Sequence, residues 1–197
     1  LLIADEVITA FGRTGAWSGS RLWGVQPDFM CTAKAITNAY FPFGAVMIAE
    51  GVAQVFETDE TGRAAIGHGY TYSGHPVGAA AALACLAETQ RLNVKDNAAA
   101  RGAELFAGLN ALMEKYEFIG DVRGGYGLMC ALELVSDRAS KKPADKATPG
   151  KVQATAYQSG AMVRVSGNNI ILSPPLILTS ADVQTIVRAL DAGFAAL

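Results

Sequence analysis

Between Asp28 and Glu50 the sequence reads "FMCTAKAITNAYFPFGAVMIA", and Lys34 is the only charged residue in it. Lysines ordinarily lie on solvated faces among other charges. An ammonium group in such a run has two readings. In one, Lys34 snorkels to water from a strand end. In the other, apolar surroundings favour the neutral amine and make it a nucleophile toward a carbonyl carbon. A carboxylate stands at a comparable place, because "LLIADEV" runs apolar from Leu1 to Ala4 and closes on Asp5 and Glu6. Such a run reads as a central parallel strand, and parallel sheets carry their ligand-binding groups at the carboxyl ends of strands. Asp5 ending one strand and Lys34 following the next would set an acid and an amine side by side. An aldehyde cofactor with a pyridine ring uses that pair: an amine holds it as a Schiff base, and a carboxylate keeps its ring nitrogen protonated so that the ring accepts electrons. Val7, two residues beyond Asp5, is expected on the same sheet face and would offer the flat ring an apolar surface. Taken singly, Asp5 also reads as a loop cap and Val7 as core.

The elements that must position these groups follow from patterning. "PDFMCTAKAI" reads as a second strand with Lys34 just past its end, and "FGAVMIAE" as a third. Gly12, Gly15 and Gly19 mark a loop, Gly51 to Phe56 a short helix, and "TDETGRAAIGHGYTYSGHP" a long polar loop of the kind that carries function. Pro76 suits the first turn of a helix running through "VGAAAALACLAETQRL", whose small residues allow close packing. A further helix, about Asp96 to Tyr116, places Ala100, Leu105, Leu109, Leu112 and Met113 on or near one face. "GLMCALELV" alternates as a strand, and "SDRASKKPADKATPG" is a charged loop. From Lys151 come a helix, two short strands around "AMVRV" and "IILS", and a last helix from about Thr179 or Ser180 with Val183, Ile186, Val187, Leu190 and Phe194 on one stripe. The fold class is therefore α/β to about residue 93, followed by a smaller α+β unit.

Composition narrows the function classes. The 197 residues are 51% hydrophobic and 17% charged with a net charge of -2, enough for one large or two modest cores. No basic stripe appears, so nucleic acid is not an expected partner. The longest run of small apolar residues is too short to span a bilayer, so no membrane is expected either. Cys31, Cys85 and Cys130 are odd in number and sit among apolar neighbours, as buried reduced thiols would in a cytoplasmic protein. His68 and His75 read as loop residues around a Gly-rich turn, and no metal site is expected. The sequence opens without Met and enters directly on a buried-strand pattern, so a fragment is expected.

Five strings, "DEVITAFGRTG", "AKAITNAYFPFGA", "HGYTYSGHP", "VRGGYGL" and "VRVSGNNIILSPPL", occur in order along the whole chain. Together they resemble the class III (subgroup II) pyridoxal-phosphate aminotransferases, and among these the omega-amino acid or amine:pyruvate transaminases. The resemblance implies a fold-type I architecture: residues 1–93 as the C-terminal portion of the large, mainly parallel-sheet cofactor domain, and residues 94–197 as the small C-terminal domain. It implies pyridoxal 5'-phosphate as cofactor, Asp5 as partner of the pyridine nitrogen, Val7 against the ring, and Lys34 as Schiff-base lysine and proton shuttle. Thr71 would hydrogen-bond the cofactor phosphate of the neighbouring subunit, with Tyr70 beside it, which implies a homodimer with shared sites. Arg164 would bind a substrate carboxylate through its planar fork.

Substrates implied are an amine or omega-amino acid as donor and pyruvate or a similar keto acid as acceptor. The 4-aminobutyrate, ornithine and diamine aminotransferases and the aminomutases share these strings, so they stay open. A non-catalytic dimerisation domain on the same fold is the reading from another class. Three positions depart from the family pattern: Ala10 and Ala39 stand where glycine is common, and Asn168 where Asp is common. The family's N-terminal half, with its phosphate-cradling turn, is not in this sequence, so the site expected here is half a site.

Overall fold

The structure is a computed structural model and describes residues 1–67 and 69–197. His68 lies outside the described residues. The chain forms two compact units, Leu1–Gly12 with Ala16–Asn93, and Arg13–Gly15 with Val94–Leu197.

The first unit carries a three-stranded sheet in the order β1 (Ile3–Asp5), β2 (Phe29–Thr32), β3 (Ala45–Ile48). β1 and β2 are parallel, with Asp5 paired to Cys31, while β3 runs antiparallel to β2, Thr32 opposite Ala45. The parallel pair needs a crossover. Residues 6–28 supply it, including the one-turn helix α1 (Gly19–Leu22), which stands inside the stretch expected as loop. The apolar opening run does not lie at the centre of this sheet. β1 is at one end of the strand order, and Leu1 and Ile3 are 93% and 64% exposed. Helix α2 spans Glu50–Glu57 and α3 spans Pro76–Arg91, with Pro76 in its first turn. Gly78 on α3 seats the aromatic rings of Phe41 and Phe43, and a Cβ there would fall 2.6 Å from Phe43 Cδ2. The close packing expected of the Gly/Ala-rich helix is met at this point.

The second unit is an antiparallel sheet covered by helices. Its strands are β4 (Ile119–Arg123), β5 (Cys130–Asp137), β6 (Lys142–Pro143), β7 (Arg164–Ser166) and β8 (Asn169–Leu172), in the order β4-β5-β8-β7 with β6 also on β5. Helices α4 (Val94–Lys115), α5 (Thr148–Gln158) and α6 (Ser180–Ala195) complete it. On α4 the buried stripe is Ala98, Gly102, Leu105, Leu109 and Leu112, a four-three-four-three spacing. Ala100, expected on that stripe, is exposed. On α6 the expected stripe is met: Val183, Leu190 and Phe194 are buried, with Ile186 and Val187 half-buried against the same core. α6 opens with a reciprocal cap, Thr179 Oγ1 accepting from Asp182 N–H and Asp182 Oδ2 accepting from Thr179 N–H at 2.8 Å.

Two strands were not expected. In β4 a bulge between Ile119 and Asp121 breaks the alternation, so the buried residues Ile119 and Val122 stand three apart. β6 is a two-residue pairing inside the charged loop. Among the described residues, no helix is long and apolar enough to cross a membrane.

Candidate active site

Lys34 stands two residues beyond the end of β2, in a backbone that only tertiary structure could specify. Ala33 is extended, then Lys34 turns to φ +48°, in the left-handed region that ordinary residues avoid. Lys34 opens a one-turn 3₁₀ segment, Lys34–Ile36, and its carbonyl accepts from Asn38 N–H at 2.9 Å and Thr37 N–H at 3.3 Å. Asn38 and Ala39 follow at φ +48° and +65°. Ala39, where family members commonly carry glycine, thus holds a conformation that glycine adopts without cost. Lys34 itself is exposed, so the apolar residues that flank it in sequence do not enclose it here. They face elsewhere: Ile36 is buried, and Phe41 and Phe43 turn toward α3.

The supports of this loop are buried threonines. Thr32 donates to Ala45 O at 3.3 Å, across the β2–β3 pairing. Thr37, 1% exposed, donates to Phe41 O at 2.6 Å. From α3, Cys85 donates through Sγ to Ala35 O at 3.5 Å.

Asp5 is the last residue of β1 and is exposed. Since β1 and β2 are parallel neighbours, Asp5 and the Lys34 loop leave the sheet at the same, carboxyl end. Val7 is not on the strand, so alternation does not set its face. It lies in the turn that follows, and its N–H donates to Asp5 Oδ1 at 3.1 Å. The turn forms because Glu6, between them, points inward. Glu6 is 3% exposed and accepts from Gly19 N–H (2.8 Å), Ser20 N–H (2.6 Å) and Ser20 Oγ (2.5 Å), with Thr9 Oγ1 also donating to it. Burial pushes the Glu6 pKa up, but the hydrogen bonds from Ser20, Thr9 and Gly19 outweigh it and hold the carboxyl below its usual value. Glu6 therefore braces the turn that presents Asp5 and Val7. The sequence carried a faint signal for this, an acid with hydroxyl donors at Thr9 and Ser20.

Tyr70 and Thr71 lie on the loop between α2 and α3, and both are exposed. Tyr70 has φ +27°, and its carbonyl accepts from Ser73 N–H at 2.8 Å. The loop is tied at both ends. Near its start, Asp59 accepts from Ala64 N–H, Thr61 Oγ1 and Thr61 N–H, which hold its pKa down to about 2. At its end, His75 caps α3 by accepting from Val77 N–H at 3.2 Å through Nδ1, with its ring 5.1 Å from that of Phe41.

Arg164 belongs to the second unit. It opens β7, is exposed, and borders a cavity of about 580 Å³ lined by Met162, Val163, Ile171, Pro174 and Leu178, among others. The turn beside it is held rather than loose. Asn168 O accepts from Leu134 N–H at 2.8 Å, and Arg123 donates to Asn169 Oδ1. The same cavity wall is steadied by Arg13, which donates to Pro174 O at 2.6 Å and Leu128 O at 2.8 Å, its pKa pulled down by burial.

Comparison with known proteins bears on what this arrangement is for. The family model described as "Aminotransferase class-III" matches residues 1–193. The chain belongs to the class-III aminotransferases. This class-III chain is 42% identical over 191 residues to an uncharacterised aminotransferase of Sinorhizobium fredii, covering 95% of this chain and 41% of that protein. It is 38% identical to the taurine–pyruvate aminotransferase of Bilophila wadsworthia, covering 98% of this chain and 44% of that protein. It superposes with a TM-score of 0.95 and 48% identity on an amine transaminase from an uncultivated Pseudomonas species in the PLP-bound (internal aldimine) form, over 100% of this chain and 44% of that one. The fold is thus the α/β fold of these transaminases, and the chain spans less than half the length of these relatives.

Proposed function

We propose that this chain is the lysine-bearing part of a pyridoxal 5'-phosphate-dependent aminotransferase that moves an amino group from an amine or omega-amino acid to pyruvate or a similar keto acid. The observation that carries this reading is the common exit of Asp5 and Lys34 at the carboxyl end of the parallel pair β1 and β2, with Lys34 held at positive φ. A backbone in that strained region persists where surrounding structure over-determines it, which is frequent at functional sites. The donor set fits the cofactor: one carboxyl group, one primary amine just past the neighbouring strand end, and a hydroxyl on the Thr71 loop.

When bound, the cofactor supplies an electron sink. Asp5, oriented through Oδ1 by the Val7 N–H, would keep a proton on the ring nitrogen. Val7 would lie against the ring face. Lys34 Nζ would hold the cofactor covalently, and the same amine would be the base that takes a proton from the amine-bearing carbon of the substrate. Thr71, with Tyr70 beside it, would contact the cofactor phosphate across a homodimer interface, and Arg164 would pair with a substrate carboxylate. The three thiols carry no disulfide, which supports a cytoplasmic setting.

The preference for an amine donor rests on the likeness to the amine transaminase. A second reading, a 4-aminobutyrate or diamine donor, is favoured by relatives at lower identity: a gamma-aminobutyrate transaminase of rice at 36% and a diaminobutyrate–2-oxoglutarate transaminase of Halomonas elongata at 40%. A donor panel separates the two.

The test of the shared chemistry is an absorbance spectrum of the purified protein with pyridoxal phosphate, before and after borohydride, followed by a peptide map. The expected result is a visible band that borohydride removes, with the label on Lys34, and no band in Lys34→Ala. Label spread over many lysines with none preferred would sink the reading.

A further inference from the structure

Thr37 is buried, has no place in the roles above, and uses three of its polar groups inside one loop. Its N–H donates to Lys34 O at 3.3 Å, its carbonyl accepts from Tyr40 N–H at 3.0 Å, and its hydroxyl donates to Phe41 O at 2.6 Å. These bonds join the residue at φ +48°, Lys34, to the segment that seats Phe41 and Phe43 on α3. Between them stand two more non-glycine residues at positive φ, Asn38 and Ala39. Left-handed backbone is unfavourable for residues other than glycine, so this loop keeps its shape only while something closes it. Thr37 is the residue that bonds to both ends. A hydroxyl that loses its place here would also leave the Phe41 carbonyl without that donor in a partly buried site.

We propose that Thr37 is a positioning residue for Lys34: by closing the loop from Lys34 to Phe41 it holds the lysine backbone in the left-handed conformation from which its amine meets a carbonyl carbon. The proposal rests on the reading of Lys34 as the reacting amine. Thr37 touches neither substrate nor cofactor in this scheme, and acts only through the backbone of Lys34.

The test compares wild type with Thr37→Val, which keeps shape and removes the donor, and Thr37→Ser, which restores it. Two quantities are read. One is hydrogen exchange of the Asn38 amide, which donates to Lys34 O. The other is capture of Lys34 by pyridoxal phosphate and borohydride, read by peptide mass and normalised to capture at exposed Lys142. Thr37→Val is expected to speed Asn38 exchange at least tenfold and to cut Lys34 capture at least fivefold with Lys142 unchanged, and Thr37→Ser to restore both. Should the valine variant fail to fold, Thr37→Cys, a weaker donor of similar size, is expected to show both changes at smaller amplitude. Wild-type exchange and capture in whichever of these variants folds overturns the proposal while leaving the function standing. No preferential capture at Lys34 in wild type removes the function, and the proposal with it.

Discussion

The backbone N–H of Val7 donates to Oδ1 of Asp5 at 3.1 Å, so the residue proposed for the ring face and the carboxylate proposed for the ring nitrogen are tied together within one turn. The bond gives the exposed carboxylate a backbone donor at the strand end. Asp5→Asn preserves this shape and removes the charge. The half-reaction of the complete enzyme should slow by on the order of a hundredfold or more, several kcal/mol of barrier. Stopped-flow measurement of the first half-reaction checks it, and a near-normal rate with cofactor bound would show that the ring proton is kept by another group.

Arg164 should separate the two substrates. Replacement by Ala removes a charge-assisted contact of about 1.5–3 kcal/mol from a carboxylate substrate only. The KM for pyruvate should rise by tenfold or more, and that for a carboxylate-free amine should change little. Steady-state kinetics on both substrates decides. Equal losses would assign Arg164 to stability.

If Thr71 reaches the cofactor of a second copy, sites are shared between subunits. Mixing an inactive Lys34→Ala protein with an inactive Thr71 variant should then restore part of the activity, since one site of each hybrid receives both good residues. Hybrids shown to form by mass spectrometry but lacking activity would place Thr71 on its own subunit's site.

Glu6 predicts a pH dependence of stability. Its folded pKa lies below the unfolded one, so its contribution is complete above about pH 4.3, the ordinary value for glutamate, and is lost as pH falls through the folded value. Glu6→Gln removes the charge and turns one of the two accepting oxygens into an NH2 that faces the backbone N–H of Gly19 or Ser20, so it should cost about 2 kcal/mol or more at pH 7 and distinctly less at pH 3. Urea titrations at the two pH values measure this. An equal cost at both would mean that shape, not charge, is what Glu6 contributes.

In the second unit, a Cβ on Gly102 of α4 would sit well inside contact distance of the Gly127 carbonyl, and one on Gly127, at φ +57°, would meet the backbone of Arg13 to Gly15. Neither partner is a flexible side chain that can move aside. Gly102→Ala should destabilise by about 3 kcal/mol or more, the upper end of overpacking costs, read as a fall in denaturation midpoint. A loss under about 1 kcal/mol would show that α4 can shift.

By itself the sequence determined what is local. The α6 stripe and its Thr179–Asp182 cap, the first-turn Pro76, the β5 alternation and the lone charge of Lys34 are all legible within a few residues, because helix period, strand period and end signals act over that range. The five strings carried the family for the same reason. Tertiary structure decided what depends on distant partners. Glu6 turns inward because α1 offers it donors at Gly19 and Ser20; Arg13 is held by carbonyls at Leu128 and Pro174. Lys34 takes a left-handed backbone because Thr37 can reach Phe41 and Phe43 can reach Gly78. Strand alternation predicts Val7 on the sheet face of Asp5, yet β1 ends at Asp5 and Val7 lies in the turn that follows, tied to Asp5 by a backbone hydrogen bond. Local pattern sets which element forms, whereas the direction of a residue just past an element's end is set by whichever distant group satisfies its backbone and charge.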